Sequence, residues 1–227
     1  MNMVALPSPN HGPRAEGARI EILLLHYTGM RDAATALRRL CTPASEVSAH
    51  YTVDEDGTVY AHVPEERRAW HAGAGCWRGA ADVNSRSIGI EIVNPGHEFG
   101  YRPFPAVQME AVAELCRGIV ARHAIRPEDV LGHSDIAPSR KQDPGELFDW
   151  PWLARQGVGL WPEPGPEDGT PVSVAAADAL LARYGYDPAE PLALLAFQRH
   201  FHPEHLTGTP DEETLRRLRA LLRQTGR

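Results

Sequence analysis

Strand and helix signals alternate through residues 1–156, a proline- and glycine-rich stretch follows, and only helix signals come after it. These three observations predict an α/β or α+β sheet with helices on its faces, followed by a small three-helix unit. The expected boundaries are 1–156 for the sheet domain, 157–172 for a linker and 173–227 for the helical unit.

The first element is IEILLLHYT at 20–28, a continuous apolar run with branched residues, as a strand buried on both faces requires. DAATALRRLC at 32–41 has helical composition. AHYTV and TVYAHV flank Asp54-Glu55-Asp56-Gly57 and read as a hairpin. SIGIEIVN at 87–94 alternates strictly, with Ile88, Ile90 and Ile92 on one face and Gly89, Glu91 and Val93 on the other. Val112, Cys116, Ile119 and Val120 recur at helical spacing within 106–123. A short strand, VLGH, leads into a polar loop, and GELFDWPWLARQG reads as the last helix of the domain. Pro162, Pro164, Pro166 and Pro171 then exclude a helix or central strand, which marks the linker. Beyond it, VAAADALLARYGYD stops at Gly185, PLALLAFQRHF opens with proline, and Thr209-Pro210-Asp211-Glu212 reads as a capping box before EETLRRLRALL. Three helices of this size hold only a small core, so a binding role suits them better than catalysis.

Composition narrows the function classes. The net charge of −7 argues against a nucleic-acid partner, because phosphate neutralisation needs clustered Lys and Arg. No apolar run reaches the roughly 18–20 residues of a membrane span. The N-terminal residues carry no apolar leader, so a cytoplasmic location is expected as the sequence stands. Cys41, Cys76 and Cys116 have no CxxC spacing, which disfavours a thiolate zinc site and a disulfide framework. Eleven histidines prompt a search for a histidine-ligated metal.

Several residues stand where chemistry needs them. His26 ends the first buried strand, at the edge where α/β sheets carry their sites; taken alone, it reads equally as a hydrogen-bonded strand-end histidine. His133 follows a second strand, and Asp143 lies ten residues on. Two histidines and one aspartate would leave a zinc ion one open position, the pattern of a catalytic rather than a structural site. Glu91 is a carboxylate in mid-strand, either ion-paired or a general base with a pKa raised by apolar neighbours. Lys141 is placed to stabilise an oxyanion if Asp143 binds a metal, and is otherwise a solvated lysine. Trp70 and His71 belong to an aromatic, small-residue loop of the kind that lines glycan or peptide grooves. His50 and His62 read as packing or surface groups.

LHYT, SAHY, AWHAG, NSRSIGIEIVN, GHSDIAPSRKQDPG and the N-terminal SPN, in this order over about residues 8–156, resemble the zinc-dependent N-acetylmuramoyl-L-alanine amidases of the AmpD/AmiD type. The segment around AFQRHFHPEH is similar, more loosely, to the three-helix peptidoglycan-binding module often appended to such amidases. The resemblance implies a mixed sheet flanked by helices, with zinc held by His26, His133 and Asp143. It implies Glu91 as general base, Lys141 as the group that steadies the tetrahedral intermediate and Arg140 as a partner for a substrate carboxylate, with Trp70, His71 and Asn84 lining the groove. The implied reaction is hydrolysis of the amide between the lactyl group of N-acetylmuramic acid and L-alanine, in peptidoglycan or muropeptides. Two-domain relatives of the cell envelope normally carry an export signal, which makes the periplasm or cell envelope the alternative location if a signal is missing here. A peptidoglycan receptor without catalysis, or a zinc peptidase acting inside the stem peptide, are the competing readings. The first is disfavoured by the full set of five residues, and the second is separated only by the bond cleaved.

Overall fold

The centre of the molecule is a six-stranded sheet, and the apolar run that leads to His26 is an interior strand of it, one place in from the edge. In the computed structural model the described residues are 2–169 and 171–227; Met1 and Thr170, which fall in the expected first domain and linker, lie outside them. The chain runs β1 (Met3–Ala5), β2 (His11–Pro13), β3 (Ile22–Tyr27), α1 (Ala33–Cys41), β4 (Tyr51–Val53), β5 (Val59–Ala61) and β6 (Arg67–Ala69). It continues through α2 (Val83–Arg86), β7 (Ser87–Ile92), α3 (Gly96–Phe99), α4 (Ala106–His123), β8 (Val130–Gly132), α5 (His133–Ile136) and α6 (Trp150–Arg155). It closes with α7 (Val174–Tyr184), α8 (Ala193–Phe201) and α9 (Glu212–Gln224).

The sheet order is β1-β5-β4-β7-β3-β8. Only β4 and β5, the expected hairpin, pair antiparallel; the other pairs are parallel, so the sheet is mixed. β3 is apolar from Ile22 to Leu25 because both of its faces are covered there. Leu23 and Leu25 pack with Ile88, Ile90 and Ile92 against Val112, Cys116 and Ile119 of α4. Ile22 and Leu24 point the other way, into a cluster that contains Trp77, Leu131, Ile136, Tyr186, Phe197 and Leu218. That second cluster runs without a break from the sheet into α7, α8 and α9, so the helical unit is packed onto the sheet face rather than hung from it. The proline-rich segment is tied down too: Arg223 of α9 pairs with Asp168 at 2.9 Å, and Leu160 and Trp161 pack into the apolar clusters.

Two helix starts differ from the sequence expectation. α9 is capped by Asp211, whose carboxylate accepts the Thr214 N–H at 2.9 Å, so Thr209 and Pro210 lie before the cap. The expected helix over GELFDWPWLARQG shrinks to Trp150–Arg155, since Pro151 is tolerated only in a first turn. Among the described residues no helix is long and apolar enough to cross a membrane.

Candidate metal centre

Alternation along β3 puts His26 on the same face as Ile22 and Leu24, at the carboxyl end of the strand. Parallel register sets Leu24 beside Gly89 and His26 beside Glu91 of β7. β8 runs parallel to β3 on its other side, and His133 is the first residue after it. Asp143 comes from the loop beyond α5, which approaches closely because residue 132 is glycine: a Cβ there would stand 2.7 Å from Pro144 Cδ. Three separate segments therefore deliver three side chains to one point, all of them buried.

The distances are short. His26 Nδ1 is 2.9 Å from His133 Nδ1 and 2.9 Å from Asp143 Oδ2, and His133 Nδ1 is 3.0 Å from the same oxygen. The surrounding hydrogen bonds assign the tautomers. Ser87 Oγ donates to Val83 O at 2.7 Å and so accepts from His71 Nε2 at 3.3 Å. That leaves His71 Nδ1 as the acceptor for His26 Nε2–H at 3.0 Å, and His26 Nδ1 without a proton. His133 Nε2 donates to Ala72 O at 2.9 Å, so its Nδ1 also presents a lone pair. Burial, with His133 as a smaller contribution, lowers His26 to about 4, in keeping with a neutral ring. Two lone-pair nitrogens and a carboxylate oxygen thus converge with no hydrogen between them. Such an arrangement is repulsive unless a cation completes it, and two neutral imidazoles with one carboxylate fit a divalent ion such as zinc. The far nitrogen of each ligand histidine is held by a second hydrogen bond, as is usual for metal-binding imidazoles.

The group opens into a cavity of about 360 Å³ lined also by Tyr27, Trp70, Glu91, His97, Arg140 and Lys141. Glu91 Oε2 is buried with no hydrogen-bond partner among the described residues. Burial, reinforced by the Asp143 charge and opposed by Lys141, raises the Glu91 carboxyl to about 8.

Of the residues expected to face substrate, Trp70, His71 and Arg140 line the cavity, and Asn84 is placed differently. Asn84 does not line the cavity: it is buried, and its Oδ1 accepts the backbone N–H groups of His71 and Ala72 at 3.1 and 2.9 Å, fixing the AWHAG loop. His71 lines the cavity with both ring nitrogens engaged, one by His26 and one by Ser87. Arg140 Nη2 donates to Ala72 O at 2.7 Å and to Ala74 O at 2.5 Å, which binds the same loop to the 133–143 segment, and the residue also lines the cavity. His50 and His62 are buried packing groups; His50 Nδ1 accepts the Gly89 N–H at 2.9 Å. Tyr27 and His97, neither of them expected from the sequence, also line the cavity, with the tyrosine hydroxyl 2.9 Å from His97 Nδ1. Tyr27 could have been found from its place next to His26, whereas His97 carries no sequence signal.

The chain is similar to known proteins over most of its length. Residues 16–146 match the N-acetylmuramoyl-L-alanine amidase family. The chain is 40% identical over 235 residues to the N-acetylmuramoyl-L-alanine amidase AmiD of Escherichia coli K12, covering 92% of this chain and 84% of that protein. The solved complex of E. coli AmiD with anhydro-N-acetylmuramic acid-L-Ala-D-γ-Glu-L-Lys superposes with a TM-score of 0.82 at 38% identity, over 94% of this chain and 93% of that one. AmpDH3 from Pseudomonas aeruginosa, solved with anhydromuramic pentapeptide, gives a TM-score of 0.83 at 34% identity, over 92% of this chain and 93% of that one.

Proposed function

Since the chain belongs to the N-acetylmuramoyl-L-alanine amidase family, we infer that it is the hydrolase that cuts the amide between the lactyl group of N-acetylmuramic acid and the L-alanine of the stem peptide. Its substrates are peptidoglycan or muropeptides, and its place is in cell-wall turnover and recycling. The observation that carries this reading is the convergence of His26 Nδ1, His133 Nδ1 and Asp143 Oδ2 in a cavity shared with Glu91, whose Oε2 has no hydrogen-bond partner among the described residues.

His26, His133 and Asp143 would hold zinc. When bound, zinc supplies Lewis-acid polarisation of a carbonyl and an acidified water. Glu91 takes a proton from the attacking water at its free Oε2 and returns it to the L-alanine nitrogen as the C–N bond breaks. Lys141 borders the same cavity and offers its ammonium to the carbonyl oxygen as negative charge develops there. Trp70 gives an apolar wall for sugar or peptide, and Arg140, which also lines the cavity, meets a substrate carboxylate. In this reading 1–156 is the amidase domain, 157–172 the connection, and 173–227 adds affinity for polymeric glycan.

Mass spectrometry of the products from a purified muropeptide, with metal-loaded and chelated protein side by side, tests the proposal. Metal-dependent release of an intact stem peptide headed by L-alanine is expected. Cleavage inside the peptide would make the protein a peptidase, and binding without cleavage would make it a receptor.

A further inference from the structure

Asp135 lies two residues after His133 and is almost completely buried, yet it does not reach the metal group. Its carboxylate is filled from three directions. Oδ2 accepts the Gly132 N–H at 2.7 Å, which closes the turn that carries His133. Oδ2 also lies 2.7 Å from His200 Nδ1, and Oδ1 accepts the Tyr186 hydroxyl at 2.6 Å. Both His200 and Tyr186 belong to the helical unit, and both are buried. The His200 ring is stacked between Trp150 and Phe201, each with its centroid 3.7 Å away. The same unit grips the ligand segment twice more: Ser139 Oγ donates to Glu190 at 2.6 Å, and Arg199 Nε stands 3.4 Å from Glu146.

We propose that His200 and Tyr186 are positioning residues of the metal centre, acting through Asp135 to fix the turn that presents His133. A buried carboxylate needs its donors; with one removed, the turn must shift to find another partner, and His133 Nδ1 moves with it. The helical unit is then part of the catalytic apparatus in addition to any affinity it has for glycan. The inference rests on the reading of His26, His133 and Asp143 as metal ligands.

The test uses the full chain and two readouts besides turnover: zinc affinity by chelator competition, and the visible spectrum of the cobalt(II)-substituted protein, which reports ligand geometry. His200→Phe keeps a ring in the stack and removes the donor. His200→Asn keeps a donor near the Nδ1 position and loses the stack. Tyr186→Phe deletes one hydroxyl and nothing else, which guards against a misfolded His200 variant. Leu218→Ala, in α9 and with no hydrogen bond to the ligand segment, is the control for general destabilisation. His200→Phe and Tyr186→Phe are expected to weaken zinc about tenfold or more and to alter the cobalt spectrum, the size typical of lost support around a ligand histidine. His200→Asn is expected to stay near the parent, and Leu218→Ala to lower the melting temperature without changing the spectrum. Parent-like zinc affinity in His200→Phe and Tyr186→Phe would overturn the inference, as would losses that only track melting temperature across all four variants. A parent protein that takes up no metal would instead overturn the ligand reading, and this inference with it.

Discussion

Glu91 and His26 are register partners on adjacent parallel strands, so the carboxylate stands on the same sheet face as the metal group without being bonded to it. In the proposed reaction this separation would let one residue move protons while its neighbour holds the ion. Glu91→Gln should therefore keep one zinc per chain and lose turnover by a factor on the order of 10²–10⁴. Metal content by elemental analysis beside the rate on a purified muropeptide checks this, and an active, zinc-loaded Gln variant would remove Glu91 from the mechanism.

Gly89 and His71 make a second linked pair. A Cβ on residue 89 would overlap the His71 ring, which in turn holds His26 Nε2. Gly89→Ala is expected to displace His71 and to weaken zinc binding, although neither residue is a ligand. His71→Phe should do the same by about 10- to 100-fold, the range for removal of a partner that orients a ligand histidine. Unchanged zinc affinity in both variants, measured by chelator competition, would show that the tautomer of His26 does not depend on this contact.

Stability of the metal-free protein should peak near pH 6.5 and fall on either side. On the acid side, burial holds His26 at about 4 and His50 at about 3, and keeps His71 well below its ordinary value. In the unfolded chain these rings bind protons near pH 6.5, so stability is lost as pH drops from 6.5 toward 4. On the alkaline side Glu91 acts oppositely. Its folded carboxyl titrates at about 8 and its unfolded one near 4.3, so its contribution is complete below the lower value and lost as pH rises to the higher one. Glu91→Gln should flatten the alkaline limb and, because the Glu91 contribution already changes between about pH 4.3 and 6.5, steepen the upper part of the acid limb. Bound zinc should flatten the alkaline limb as well, because a nearby cation favours the carboxylate. Melting temperatures across pH 4–9, with and without chelator, decide this; an alkaline slope retained in the Gln variant would assign it to another group.

The residues proposed to carry the chemistry were legible because each sits at an abrupt change in local pattern. His26 closes an apolar run, Glu91 breaks a strand of isoleucines, and His133 opens the loop that contains Asp143. What local pattern could not supply is their meeting: His26 lies 107 residues from His133 and 117 from Asp143, and only the parallel order of β7, β3 and β8 joins them. The supporting contacts were illegible for the same reason. Asn84 reads as a groove residue until its carbonyl oxygen is seen under the His71 and Ala72 amides, and Asp135 reads as a loop residue until His200 arrives from 65 positions away. β1, β2 and β6, three residues each, are too short for any alternation to register.

The continuity of the second apolar cluster bears on whether the helical unit can be removed. The composition of 157–172 invites a cut near Pro164, with an active 1–156 domain left behind. Yet Ile22, Leu24, Trp77, Leu131 and Ile136 are buried in a cluster completed by Tyr186, Phe197 and Leu218. Exposing a side chain of this size costs about 1.5–3 kcal/mol, so five together approach the whole 5–15 kcal/mol that stabilises a folded domain. The same cut takes away His200 and Tyr186 and leaves Asp135 buried or exposed without two of its donors. A chain ending at Pro164 is therefore expected to be insoluble or to melt far below the full chain, with weakened zinc binding. Its sacculus affinity would then report unfolding rather than loss of a glycan site. Circular dichroism melts and zinc titration of the shortened chain check this, and a truncated protein that melts with the full chain and binds zinc as tightly would show that the sheet domain stands alone.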